Sequence, residues 1–442
     1  MRSIPAFVLC VFLFASCGDD GASPDSGVAE PDTLLVRPDG SGVFPTIQAA
    51  IDSAGDGDRI LLADGLFEGD GNRDILFRGK KLAVRSESGD AAACAVECGG
   101  GEEEYHWGFL FVDGESLDTR IEHITVRGAF GQSGGGMICG GSSPTIADCV
   151  FESNKAVLGA ALSCVSGADP LVLRCRFREN HADAGGAVWC QDASPTFEEC
   201  VFDSNLAGAA GGALAGQSSS FHLTGCLFDG NEAGERGGAV SALYESPVIE
   251  ECVFRGNEGG AVGLENTDQA LVESCLFEEN DAEVGAAVQC GGSTVLRGCV
   301  MTGNSASLFG GAVWCCGSAL IEECTFAGND APAGSALYAS CGDTVRVERC
   351  IVSHQGGGEP AGAGSSTTVR FLCADIFGNA GGDWVGPAAG QENSEGNFSG
   401  DPLFCDREGG DLRLGEGSPC LPGGHPASVD CGRIGAKDAG CD

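Results

Sequence analysis

The chain has 442 residues, with 64 acidic and 24 basic side chains, 73 glycines and 25 cysteines, for a formal net charge of −40. That balance excludes nucleic acid as a partner, because almost nothing is available to neutralise phosphates. It also argues against docking of the folded part on an anionic membrane, and it suits a solvated, soluble surface.

Residues 1–16 read as an export signal: Arg2 supplies the positive start and Ile4 to Phe14 the apolar run. The run is shorter than the roughly 20 residues a bilayer span needs. Residues 17–33 are rich in Gly, Ser, Pro and Asp, the composition of a flexible tether. Residues 34–130 are expected to hold the N-terminal cap and first coils. Thr46 is placed to N-cap a short helix with Ile47, Ala50, Ile51 and Ala54 on one face and Gly55 at its end. Such a helix covers an open sheet edge that would otherwise invite aggregation. Strand-like runs follow at 59–63, 81–85, 109–112 and 121–126. Cys94 and Cys98 are expected to flank a bend, and 99–107 to form a loop.

Residues 131–380 are a repeat. Its unit reads Gly185-Gly186-Ala187-Val188, a variable segment, then Pro195-Thr196-Phe197-Glu198-Glu199-Cys200-Val201-Phe202-Asp203-Ser204-Asn205. The anchors are Cys149, Cys175, Cys200, Cys226, Cys252, Cys275, Cys299, Cys324 and Cys350, at steps of 26, 25, 26, 26, 23, 24, 25 and 26. Three residues before each anchor stands an apolar residue, from Ile146 and Val172 to Val347. Two after it stands Phe in most coils. Five after it come Asn154, Asn180, Asn205, Asn231, Asn257, Asn280, Asn304 and Asn329, then Gln355. A fixed period of this size means stacked repeats. Short β-branched and aromatic runs bounded by Gly, Asn, Asp and Ser mean strands and turns. The chain is therefore predicted to be all-β, a parallel β-helix solenoid with one coil per repeat and one continuous core along its axis. A leucine-rich solenoid has an overlapping period, but its Leu ladder is missing here. The Asn column is assigned to turns in left-handed backbone, and the Gly-Gly box to a corner where backbone meets backbone. Residues 381–442 are assigned to a final coil and a C-terminal cap that carries Cys405, Cys420, Cys431 and Cys441 and is stapled to the last coils.

An exported, cysteine-rich chain favours disulfides, yet the nine anchors fall in an apolar column and read as buried thiols. A second set, Cys139, Cys164, Cys190, Cys290 and Cys315, lies in successive or nearby coils, and Cys139–Cys164 is the candidate bridge. Vicinal Cys315-Cys316 is expected to point one thiol in and one out. No C-x-x-C pair exists, and ligands from stacked coils form a line rather than the tetrahedron zinc requires.

The Gly-Gly-Ala box followed by Cys-x-Phe-x-x-Asn resembles the repeat of polymorphic outer membrane proteins. It is also similar to bacterial right-handed parallel β-helix repeat proteins of the pectin-lyase-like superfamily. The opening segment Gly42-Val43-Phe44-Pro45-Thr46-Ile47 with Gly57-Asp58-Arg59-Ile60, and the closing Asp401-Pro402-Leu403-Phe404 with Gly417-Ser418-Pro419-Cys420, resemble those of the second group. The likeness covers roughly 34–436 and implies the right-handed fold. The superfamily holds lyases, hydrolases, esterases and adhesins, so it implies no one activity. Phe14-Ala15-Ser16-Cys17 resembles a bacterial lipoprotein site, with Phe14 where that pattern usually has Leu. The resemblance implies lipidation of Cys17 and anchoring to the cell envelope, at the outer membrane or cell surface. Ordinary secretion after cleavage near Ala15 is the alternative.

Residues suited to chemistry are scattered. His106, His123, His181, His222, His354 and His425 show no metal-ligand spacing and no nucleophile motif. The column two before the anchor (Glu198, Glu250, Glu273, Glu322, Glu348) and that three after it (Glu152, Asp203, Asp229, Glu278) alternate with inward positions and read as a solvated face. Arg174, Arg178, Arg255, Arg297, Arg346 and Arg349 are placed to relieve their repulsion. Paired carboxylates are also the equipment of a glycosidase, and clustered ones of a Ca²⁺ site. Trp189 and Trp314 occupy one position in different coils and are assigned to the core; an outward position would suit stacking on sugars. The resulting expectation is a monomeric envelope lipoprotein, a β-helix scaffold that binds a glycan or protein partner. No catalysis and no cofactor are expected, Ca²⁺ being the one candidate ion. A polysaccharide lyase or hydrolase is the alternative.

Overall fold

The computed structural model describes residues 32–441. They form a parallel β-solenoid of about 14 turns. One coil shows the path. Strand Val188–Gln191 belongs to sheet 1, Thr196–Glu198 to sheet 2, Val201–Asp203 to sheet 3, and the short Leu206–Ala207 to sheet 4. Each pairs in parallel with its counterpart one coil on: Val188 with Leu214, Phe197 with Leu223, Phe202 with Phe228 and Ala207 with Ala233. Alternation sends Val188, Cys190, Phe197 and Phe202 into a fully buried core.

In-register stacking makes each column continuous. The rings of Phe151, Phe177, Phe202, Phe228, Phe254 and Phe277 lie parallel, with successive centroids 5.1, 4.7, 4.7, 4.8 and 4.9 Å apart. The nine anchor cysteines are free, buried thiols, as their apolar column predicts.

The Asn column differs from its expected place in left-handed turns. Asn154 through Asn329 are buried. Left-handed backbone falls on the residue before each: Ser153, Glu179 and Ser204 all have φ of 53°. The residue before each anchor cysteine does the same, at Asp148, Arg174 and Glu199. One left-handed residue turns the chain from sheet to sheet, and the next side chain then points inward. At the second corner that inward residue is Asn, because the corner leaves backbone groups unpaired. The Asn205 carbonyl oxygen accepts the Asn180 backbone N–H (3.1 Å) and the Asn180 amide (3.0 Å). Its own Nδ2 donates to Phe177 O and to Asn231 Oδ1, both at 2.9 Å. The glycine box behaves as predicted. Gly185 has φ of 59°, and a Cβ on Gly186 would lie 2.0 Å from the Gly212 carbonyl oxygen.

The N-terminal helix spans Ile47–Ser53, capped by the Thr46 hydroxyl, with Ile47, Ala50 and Ile51 buried. Two local expectations change. Cys94–Glu97 is a strand of sheet 3 paired with Gly65–Glu68, not a bend, because Cys94, Val96 and Cys98 alternate into the core. The run 121–126 is two strands, Arg120–Glu122 and Thr125–Arg127, divided by His123 at φ of 55°.

The bridge expected between Cys139 and Cys164 is not formed. Both are buried free thiols facing each other in register, with Cys190 next in line. Identical inward thiols stack without singling out a pair. Disulfides form instead at corners and in the tail: Cys316–Cys341, Cys373–Cys431 and Cys405–Cys441. Cys315 is buried while Cys316 is bridged, the expected in-and-out pair. The tail folds back over sheet 3, packing Leu412 with Val300 and Ala327, and Cys431 ties it to the last full coil. Cys17 lies outside the described residues.

Candidate functional site

The coils are shortest between Cys252 and Cys299, at steps of 23 and 24 residues. Two turns are trimmed there. Glu258 runs straight into Gly259-Gly260, at φ of 93° and 86°. The corner between sheets 1 and 2 flattens into the continuous strands Val262–Glu273 and Val288–Arg297. At this waist the outer face of sheet 1 carries a cavity of about 250 Å³, lined by Arg236, Gly263, Leu264, Glu265, Asn266, Gln289, Gly291, Gly292, Trp314 and Cys316.

Trp314 sits between buried Val313 and Cys315, so its indole faces outward, and Trp189 does the same between Val188 and Cys190. The inward packing expected of both is corrected by the strand alternation, which spends the inward positions on Val and Cys. Gly285 packs against the base of this side chain: a Cβ there would lie 2.9 Å from Trp314 Cβ. Tyr338 is the register partner of Trp314 one coil on, and the Phe309 ring lies 4.6 Å from it. Leu308 and Phe309 are both exposed. On the other side of Trp314, Gln289 donates its amide to Val284 O (2.9 Å). The Cys316–Cys341 bridge holds the strand end beside the cavity. Arg236 forms an ion pair with Glu265 across this face.

The carboxylate columns face outward, as their alternation implied, and Glu152, Asp203, Glu273, Glu278, Glu322 and Glu348 pair with arginines. Arg297 and Arg349 both bind Glu322 and hold its carboxyl below the usual range despite partial burial. Arg178 and Arg127 meet at Glu152. The histidines do not assemble. His106 Nδ1 lies 2.7 Å from Asp74 Oδ2, a pairing across 32 residues that spacing did not reveal, and His222 lies 3.0 Å from Glu250. Among the described residues no group of three or more His, Cys, Asp or Glu is arranged for a metal ion. Burial in the apolar columns raises the Cys175, Cys275 and Cys324 thiols well above their ordinary pKa, which makes them inert.

The family model described as "Right handed beta helix region" matches residues 108–246, 181–325 and 211–374, together more than half of the chain. A search of the curated proteins returns no match. Among solved structures, a PL6 family alginate lyase is similar at 12% identity and a TM-score of 0.47, over 86% of this chain and 55% of that one. Pectate lyase Pel9A is similar at 13% identity and a TM-score of 0.36, over 94% and 98%. The lacto-N-biosidase from Eubacterium ramulus is similar at 9% identity and a TM-score of 0.37, over 84% and 67%. This chain thus spans about half the length of the alginate lyase it resembles. At these identities the likeness concerns the path of the coils and not an activity.

Proposed function

The chain belongs to the right-handed beta helix family, and from that premise we propose that it is a rigid scaffold that holds a glycan in the sheet 1 notch without altering it. The observation that carries this reading is the outward Trp314, flanked by Tyr338 and Phe309 on one side and by Gln289 and Asn266 on the other. Flat aromatic faces beside amide groups suit the apolar faces and hydroxyls of a sugar ring. In the same reading Cys17 carries a lipid and residues 17–33 tether the solenoid at the outer membrane or cell surface, presented outward.

The rival reading is a lyase or hydrolase acting along the same groove. Glycoside hydrolysis uses two carboxyl groups on opposite sides of the bond. The notch lining holds one, Glu265, and it is paired with Arg236. The test is to incubate the protein with neutral and acidic polysaccharides and measure both retention and new chain ends. Retention that is lost in Trp314→Ala, with no new ends, is the expected result. New ends overturn the non-catalytic reading.

A further inference from the structure

We propose that the notch takes the terminal one or two rings of a neutral glycan, and that the Arg236–Glu265 pair is the stop that ends the groove. The proposal rests on the glycan-binding reading above. Arg236 leaves the loop ahead of Gly237-Gly238, at one side of sheet 1. Its stem passes over Gly263 of the next coil, where a Cβ would lie 3.7 Å from Arg236 Cγ. The guanidinium meets Glu265 at the far end of that coil's sheet 1 strand. The pair therefore lies as a bar across the outward face. Trp314 stands two coils further along, in register through Gln289. Bar and indole are thus about 10 Å apart, at about 4.8 Å per coil. Beyond the bar the same column continues in register through Ser241 and Ala215, both buried, to a second indole at Trp189.

Charge selects the ligand class. The one cation of the notch is occupied by Glu265. On the adjoining sheet 4 edge Glu232, Glu258 and Asp281 are exposed and stacked in register. A uronate or sulfated ring meets carboxylates there and no free guanidinium, whereas a neutral ring meets no repulsion.

The experiment measures binding of neutral gluco-oligosaccharides of two to six rings, and of uronate oligomers of matched length, to the full protein. The native affinity for neutral ligands is expected to level off at two rings. Both members of the bar are partly exposed, so the stop is soft. Arg236→Ala/Glu265→Ala is expected to gain about five-fold between two and five rings, the factor an exposed ion pair contributes. Adding Trp189→Ala removes that gain, which a merely structural bar would not explain. A native affinity that keeps rising past three rings, or a double variant with the native length profile, overturns the stop. Tighter binding of uronates overturns the neutral class and leaves glycan binding standing. Native protein that binds no oligosaccharide of either class overturns the glycan-binding reading itself.

Discussion

Replacing Asn205 with Leu tests the amide ladder. The side chain is nearly isosteric and more apolar, so a core held by burial alone would tolerate it. The hydrogen bonds say otherwise. The Asn205 carbonyl oxygen is the partner of two buried donors on Asn180, the backbone N–H and one amide hydrogen. Both positions are essentially inaccessible to water, at 1% and 0% exposure. Two orphaned buried donors at about 1–3 kcal/mol each predict a loss of roughly 2–6 kcal/mol, less whatever the extra methyl burial returns. Because a solenoid couples nearest neighbours, the loss should be local. Native-state hydrogen exchange should show accelerated opening in the coils of Asn180, Asn205 and Asn231, and little change near the N-terminal helix. A cost below about 1 kcal/mol, or an effect spread evenly over the chain, would refute the claim that the ladder satisfies the corners.

Other outcomes follow from the same geometry. Phe202→Ala opens a gap in the ring stack and should cost about 3–5 kcal/mol in denaturant unfolding. Gly186→Ala should be worse than an ordinary helix or strand change, since its Cβ meets the Gly212 carbonyl at 2.0 Å; failure to accumulate as soluble protein is the expected readout. Burial pushes Asp375 up to about 7, with the Gly400 N–H on one oxygen and the Cys420 thiol (3.2 Å) on the other. A raised carboxyl favours the protonated fold, so stability should fall as pH rises from about 4 to about 7 and then level off. The full shift corresponds to at most about 4 kcal/mol, and Asp375→Asn should abolish the slope in pH-dependent melts. Reduction of Cys373–Cys431 should release the tail first, seen as new protease cleavage after residue 400 before any loss of strand signal.

The solenoid was legible because most coils repeat the same inward choices: Cys at the first corner, Phe on sheet 3, small residues at the glycine box. Strand boundaries were less so. Nothing in 121–126 announces that His123 turns left-handed, because the same corner elsewhere holds Asp148, Arg174 or Glu199. The shared signal is position, the residue just before the inward one, and not residue type. The Asn column is plain in the sequence, but its role is not. Asn is a common turn residue, and only the structure shows the turn one place earlier, with the amide serving its neighbours. The stapled tail is legible in its late cysteines, but the pairings are not, because sequence does not reveal which cysteines face each other outside the core.

The notch was illegible for a related reason: it lies where the repeat departs from itself. Steps of 23 and 24 residues were visible, but a shortened coil has no meaning until the trimmed turns are seen to fall beside Trp314. In a stack of equal coils the walls are continuous and each outward position is worth the same as the next. Beside the shortened coils the outward Trp314 borders the notch and Arg236 crosses over Gly263. The inward columns must stay in register for the core to hold, so the outward positions and the turn lengths are the freedom that remains. Specificity in such a fold is therefore written in deletions and in single outward residues. The regular ladder of Cys, Phe and Asn supplies the rigidity that keeps Trp314 and the Arg236–Glu265 bar at a fixed separation.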